Sequence, residues 1–296
     1  MESSNATSSR QSEPNPVKLL DASLDPVKRR NAAAYDAMAA SNHPLCRTAT
    51  ASELADPIGT IDPAGWFGGP IHGRRVLCLA AAGGRHSDLY LAAGAIVTVV
   101  DLSPAMLAID RRHTAAIDDG RLRLRNQSMD DLTGLRDAEF DIVVQPVSSC
   151  YLPNIHPMFA EVARVTRPGG LYVSQHKTPG NMQSSIAPGP DGRYQWTGPP
   201  DAPTASPADS NSPADSNSPA ARRLREPAAA EFAHGWTTIL GGICHAGFQI
   251  EDAIEPDHRS AQALPGTFAH RAAMIPPYVR IKARRTAATT TPQLIL

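Results

Sequence analysis

Residues 76–107, VLCLAAAGGRHSDLYLAAGAIVTVVDLSPAML, constrain the fold of this chain more than any other stretch. An apolar run, Val76–Leu79, meets a turn of small residues, Ala80-Ala81-Ala82-Gly83-Gly84. A helical pattern then runs from His86 to Ala93, and Gly94 terminates it. A second apolar run, Ala95–Val100, ends in Asp101, and Ser103-Pro104 supply the N-cap and first position of another helix. Apolar strands alternating with helices build one half of a nucleotide-binding α/β sheet. The small residues at 80–84 let backbone approach a ligand closely. A carboxylate at the end of the second strand, Asp101, can accept both hydroxyls of a ribose. The stretch therefore implies a nucleoside-containing ligand.

The rest of the chain extends this pattern. Leu122–Arg125 reads as a third strand, and Phe140–Val144 as a fourth that is buried on both faces. Pro157–Thr166 carries Phe159, Val162 and Val165 at helical spacing, Pro168-Gly169-Gly170 breaks it, and Leu171–Ser174 is a fifth strand. Ala228–Ala246 reads as an amphipathic helix with Phe232, Trp236, Ile239 or Leu240, and Ile243 on one face. Phe248–Ile254 and Tyr278–Ala283 are an expected antiparallel pair at the sheet edge. Residues 1–24 are polar and predicted disordered, and Asp25-Pro26 starts a helix in a covering segment, 25–69. The main domain is expected over 70–285, with a tail at 286–296. Residues 178–227 look like a surface-loop insertion, because SPADSN occurs twice within 206–217 and 200–222 is low in complexity.

Composition removes several functions. A net charge of −1 argues against broad electrostatic binding to nucleic acid or an anionic membrane. Cys46, Cys78, Cys150 and Cys244 form no CxxC pair, which suggests neither a disulfide framework nor a zinc site. Free thiols fit a reducing cytoplasm. The longest apolar stretch, near Leu89–Val100, is too short to span a bilayer, and the first 20 residues lack the apolar core of a signal peptide. His245, His258 and His270 lack metal-like spacing.

The ordered set of strand, small turn and helix, then VVDLSPAML, SMDDL, FDIVV and EVARVTRPGGLYV, resembles the class I S-adenosylmethionine-dependent methyltransferases. The resemblance implies a Rossmann-like, doubly wound, mostly parallel seven-stranded sheet with an antiparallel last strand, and S-adenosyl-L-methionine as cofactor. The family's first motif matches at Gly84, with Gly83 beside it; Ala80 and Ala82 stand where the first two glycines usually are, and Cys78 where an acid usually is. That acid helps hold the motif's backbone or the cofactor's amino group. The resemblance carries Asp101 over as the ribose acid, with helix N-terminal charge stabilisation as its alternative. It implies Leu102 and Met106 as apolar contacts to adenine, and Ser128-Met129-Asp130 as the loop that receives the adenine edge. Gln145 opens the segment beside the cofactor's sulfur, and Tyr35 matches a tyrosine that covers the cofactor or packs on the core.

Methyl transfer from a sulfonium needs alignment, and a general base only where the acceptor must lose a proton. His176, just past the fifth strand, is the general-base candidate, with a hydrogen-bonded structural histidine as the other reading. Tyr194 and Trp196 either wall an acceptor pocket or anchor a loop. Gln145-Pro146-Val147-Ser148 differs from the (Asp/Asn)-Pro-Pro-(Tyr/Phe) of methylases acting on nucleic-acid bases, and Pro276-Pro277-Tyr278 opens a late strand instead. A small-molecule acceptor is therefore expected. Two other classes compete: a non-catalytic cofactor-binding or interaction protein on the same fold, and a nicotinamide-dependent oxidoreductase. AAAGGRHS lacks the GxGxxG that the latter needs.

Overall fold

The computed structural model describes residues 25–81, 83–114, 119–198, 224, 226, 228–260 and 262–286. Seven strands form one sheet in the order β3-β2-β1-β4-β5-β7-β6. They are β1 (Arg75–Leu79), β2 (Ile96–Asp101), β3 (Leu122–Asn126), β4 (Phe140–Gln145), β5 (Thr166–Lys177), β6 (Phe248–Ile254) and β7 (Tyr278–Arg285). β1 to β5 are parallel, and β7 runs antiparallel to β5 and β6. This is the sheet the sequence implies.

Helices cover both faces: α1 (Pro26–Ala40), α2 (Ala51–Ala55), α3 (Pro57–Ile61), α4 (Arg85–Ala92), α5 (Pro104–Thr114), α6 (His156–Val165), α7 (Pro179–Gln183), α8 (Gly242–His245) and α9 (Phe268–Met274). Side chains alternate across a strand. Leu77 and Leu79 accordingly join Val143, Phe159 and Tyr172 in one core, while Val76 and Cys78 join Val97, Tyr90 and Val173 in the other. With both faces apolar, polar groups are left to the strand ends. Asp25 caps α1 by accepting from the Val27 amide at 2.7 Å, and Ser103 caps α5 by accepting from the Met106 amide at 3.1 Å. α1 is tied over the C-terminal edge of the sheet: Lys28 pairs with Asp130 at 2.7 Å, and Asp36 accepts from the Ser103 hydroxyl at 2.5 Å.

Three expectations change. Residues 228–235 are not helical; a π-helical turn, Thr237–Gly241, leads into α8. Their backbone groups are taken by other parts of the chain: the Phe232 amide donates to Cys150 O at 2.7 Å, and the Ala230 amide to Asn31 Oδ1 at 2.6 Å. Pro168-Gly169-Gly170 lies inside β5 as an irregularity in its register with β4 rather than before the strand. Residues 178–185 belong to the packed body rather than to a surface loop. Buried Arg271 donates to Asn181 Oδ1 at 2.5 Å and to the Ser185 carbonyl at 3.0 Å. The expected disorder at 1–24, both SPADSN copies and residues 287–296 lie outside the described residues.

A buried charge cluster fastens the end of that inserted segment to β5. Lys177 Nζ lies 2.9 Å from Leu224 O, 2.9 Å from Glu226 Oε2 and 2.8 Å from Glu231 Oε1. Burial pushes the Glu226 carboxyl up, but the Lys177 charge and its hydrogen bonds outweigh burial and hold it below its ordinary value. Lys177→Met leaves two buried carboxylates without their cation, an expected loss of about 3–5 kcal/mol near neutral pH. A carboxyl depressed in the folded state stabilises above its unfolded pKa and loses that contribution on acidification. The gap between parent and variant in urea unfolding therefore narrows as pH falls toward about 4.

Candidate functional site

Parallel strands bring the loops after β1, β2, β4 and β5 to one edge of the sheet. A cavity of about 550 Å³ lies there, roofed by Asn31 and Tyr35 of α1. Of the residues expected at a cofactor site, Ala80, Asp101, Leu102, Ser128, Met129, Gln145 and Tyr35 line it. Asp101 ends β2 and is 9% exposed; its Oδ1 accepts from the Ser103 amide at 2.8 Å. Gln145 ends β4, where its Oε1 accepts from the Tyr172 hydroxyl. Its Nε2 is buried and has no partner among the described residues, which leaves a donor at the cavity wall. Tyr35 Oη lies 2.7 Å from Tyr151 Oη, and burial pushes both phenols well above their ordinary value.

Four expected residues stand behind the cavity wall rather than on it. Met106 is fully buried and packs beneath the β1–α4 turn with Cys46, Met38 and Ile109. Asp130 is engaged by Lys28 and by the Ser128 hydroxyl, so its carboxylate is spent on fastening α1. Gly83 and Gly84 shape the turn, with φ of +76° and +102°. A Cβ on Gly83 would come within 2.9 Å of Met106 Sδ. Ala82 lies outside the described residues.

The turn departs from what its sequence suggests in two ways. Ala80 has φ +48°, the left-handed region that glycine favours, at a cost of about 1–2 kcal/mol for an alanine. The Ala80 amide is held there by donating to Val100 O at 2.8 Å. The acid missing at Cys78 has a counterpart on α5: Asp110 Oδ1 accepts from the Gly84 amide at 3.1 Å and lies 2.5 Å from the Ser87 hydroxyl. Burial pushes the Asp110 carboxyl up to about 6, against both hydrogen bonds.

His176 does not face the cavity. It is fully buried; Nδ1 lies 2.8 Å from Ser149 Oγ and Nε2 lies 2.9 Å from Ser174 Oγ. Burial lowers its imidazole to about 3. Both ring nitrogens are engaged within the core, which corrects the expectation that they reach an acceptor. Neither Tyr194 nor Trp196 walls the cavity: Tyr194 Oη pairs with His270 Nδ1 at 2.9 Å, and Trp196 is exposed.

Tyr151, the end of the segment expected beside the cofactor's sulfur, is on the cavity wall, and so are four residues missed from the sequence: Glu226, Tyr278, Arg280 and His86. Glu226 sits in the segment read as an insertion, and Tyr278 is the tyrosine of the late Pro-Pro-Tyr. Burial lowers His86 to about 4, and its Nδ1 has no partner among the described residues. Among the described residues no helix is long and apolar enough to cross a membrane, and all four cysteines are free.

Asp110 gives the site a pH signature. A carboxyl whose folded pKa exceeds its unfolded value near ~3.9 loses stability as pH rises between the two. Asp110→Asn is expected to gain about 2–3 kcal/mol relative to the parent between about pH 4 and pH 7, read by urea unfolding at each pH. A constant difference across that range would remove the carboxyl's role beneath the turn.

Residues 77–174 match a family model described as a methyltransferase domain. An uncharacterized methyltransferase, YbaJ, of Bacillus subtilis (strain 168) is 39% identical over 117 residues, which are 40% of this chain and 45% of that protein. The chain spans about half the length of the curated relatives it matches. A crystal structure of an S-adenosylmethionine-dependent methyltransferase from Mesorhizobium loti superposes with a TM-score of 0.58 at 21% identity, over 78% of this chain and 100% of that one. A 1,6-didemethyltoxoflavin-N1-methyltransferase from Burkholderia thailandensis, solved with 1,6-didemethyltoxoflavin and S-adenosylhomocysteine, superposes with a TM-score of 0.50 at 18% identity, over 93% of this chain and 100% of that one. The matched methyltransferase domain thus lies within a sheet of order β3-β2-β1-β4-β5-β7-β6, and the chain shares the fold of the Mesorhizobium loti enzyme.

Proposed function

We propose that this protein is an S-adenosylmethionine-dependent methyltransferase acting on a small-molecule acceptor. The observation that carries the reading is Asp101: a carboxylate on the cavity wall where β2 ends, beside the backbone of Ala80 and Ala81. Asp101 takes the ribose hydroxyls, and charge-assisted bonds of that kind are the strong ones. Leu102 and Met129 hold the adenine faces, and Ser128 meets its edge. The buried, unpartnered Gln145 Nε2 supplies a polar contact to the methionine end. Tyr35 covers the bound molecule from α1. When bound, the cofactor supplies a methyl group already activated by its sulfonium.

The protein's own part is alignment and exclusion of water. α1, fastened to the loops after β2 and β3, closes the roof. The carboxylate on the cavity wall at its far end, Glu226, is committed to Lys177, and the phenols of Tyr35 and Tyr151 stay protonated. Positioning is thus the chief contribution of these groups. A cavity of about 550 Å³ suits a cofactor and a small acceptor. The small acceptor of the Burkholderia thailandensis neighbour supports the same class, as does the lack of an aromatic base-clamping motif after β4.

Calorimetric titration with S-adenosylhomocysteine tests the reading. The parent protein is expected to bind it and not NAD. Asp101→Ala should weaken binding about tenfold or more, from the loss of bonds worth about 1.5–3 kcal/mol. Asp130→Ala should cost less affinity, since that carboxylate is committed to Lys28. An unchanged dissociation constant for Asp101→Ala removes the ribose role.

A further inference from the structure

The strands that approach the cavity divide it. Asp101 on β2, the turn after β1 and Gln145 on β4 occupy one end; Gln175 on β5 and Arg280 on β7 occupy the other. Strands lie about 4.8 Å apart, so β7, two steps from β4 in the sheet, is displaced from it by about 10 Å. A cofactor held by the residues proposed above leaves the β5–β7 end for the acceptor.

Arg280 differs from every other cation on the cavity wall. Arg47 and Arg85 both close on Glu53, at 2.9 and 2.7 Å. No carboxylate lies within ion-pair distance of Arg280 among the described residues. Its guanidinium is instead held over the Trp66 ring, 5.3 Å from the centroid. The indole is oriented in turn by Nε1–H donating to Asp252 Oδ2 at 2.9 Å. Cation–π contact fixes the guanidinium plane but leaves its N–H donors without acceptors. Gln175 pairs with Arg280 in the β5–β7 ladder, and its side-chain amide makes no hydrogen bond among the described residues. Tyr90 and Ile61 supply apolar wall nearby, both packed in the same core as Trp66.

A half-buried, preoriented and unpaired guanidinium on a cavity wall lowers its free energy most by receiving an anion with two oxygens. We propose that Arg280 and Gln175 form an anion subsite that receives the carboxylate of an acidic, flat, largely apolar methyl acceptor. The proposal rests on reading the cavity as a methyltransferase site, and it narrows the acceptor to a carboxylate. Glu226, tied to Lys177, leaves the cation at the β7 end uncompensated by the protein.

The test uses the full chain and two probes of equal shape, benzoate and benzamide, titrated by ligand-observed NMR with and without S-adenosylhomocysteine. Benzoate is expected to bind the parent about tenfold tighter than benzamide. Arg280→Met should erase that preference, Arg280→Lys should keep part of it, and the affinity for S-adenosylhomocysteine should stay within about twofold. Gln175→Leu, which keeps the guanidinium, should weaken benzoate about threefold, so the subsite remains testable if Arg280→Met fails to fold. Benzoate binding no better than benzamide, or not at all, overturns the proposal. So does a preference that survives Arg280→Met, or a loss of S-adenosylhomocysteine affinity in step with benzoate, which would assign Arg280 to the cofactor's own carboxylate. A parent that prefers benzoate yet ignores S-adenosylhomocysteine would support the anion subsite and strike down the methyltransferase reading alone.

Discussion

A strand buried on both faces can present polar groups only at its ends, and this restriction organises the whole molecule. Val76 to Leu79 of β1 and Val97 to Asp101 of β2 are buried residue by residue, with one core on each side of the sheet. Parallel pairing then sends every C-terminal end to the same edge. The polar side chains that end β2, β4 and β5 gather there because the remainder of each strand has no room for them. A cavity forms where the loops diverge from that edge.

Such an edge needs fastening, and the chain fastens it with buried charge. The Lys177 cluster draws Leu224, Glu226 and Glu231 onto the end of β5. Asp110 reaches from α5 beneath the β1–α4 turn, and Asp36 and Lys28 hold α1 above. Buried ion pairs add little net stability compared with well-packed apolar groups, but removing one partner is costly. Their effect is therefore on geometry: alternative placements of α1 or of the 224–231 segment would strand a charge inside the protein. The pH dependence expected of the Asp110 and Lys177 variants follows from the same property, with opposite signs because burial dominates at the first and a paired cation at the second.

What the sequence made legible follows the same physical division. Strands with continuous apolar runs were read close to their observed bounds, because burial on both faces writes an unambiguous pattern. The place of Asp101 on the cavity wall was legible because it ends a strand whose other residues are apolar or buried. Residues 228–235 were not, since helical periodicity there competed with partners distant in sequence: Asn31, Cys150 and Lys177 claim Ala230, Phe232 and Glu231. His176 was misplaced because alternation along β5 decides which way a ring points, and β5 extends past Ser174 to Lys177 instead of ending before the histidine. Glu226 was hidden by composition, lying close to Ser/Pro/Ala repeats that mask an isolated acid.

The matched domain and the cavity do not coincide, and the mismatch bears on specificity. Ala80, Asp101, Leu102, Ser128, Met129 and Gln145 fall within the matched residues 77–174. Tyr35, Gln175, Glu226, Tyr278 and Arg280 fall outside them and line the same cavity. In the proposed reading the first group holds the cofactor, Tyr35 covers it, and the rest of the second group surrounds the molecule to be methylated. The second group also comes from α1, the end of β5, the stretch around Glu226 and β7, four parts of the chain that meet only through tertiary contacts. A change in any of them can retune the acceptor end while the strands that hold the donor end stay packed. Arg280 fits that pattern. It stands on an antiparallel strand whose alternate residues, Val279 and Ile281, are anchored in the core, so its neighbours secure the backbone while its guanidinium lies over Trp66 at the cavity wall.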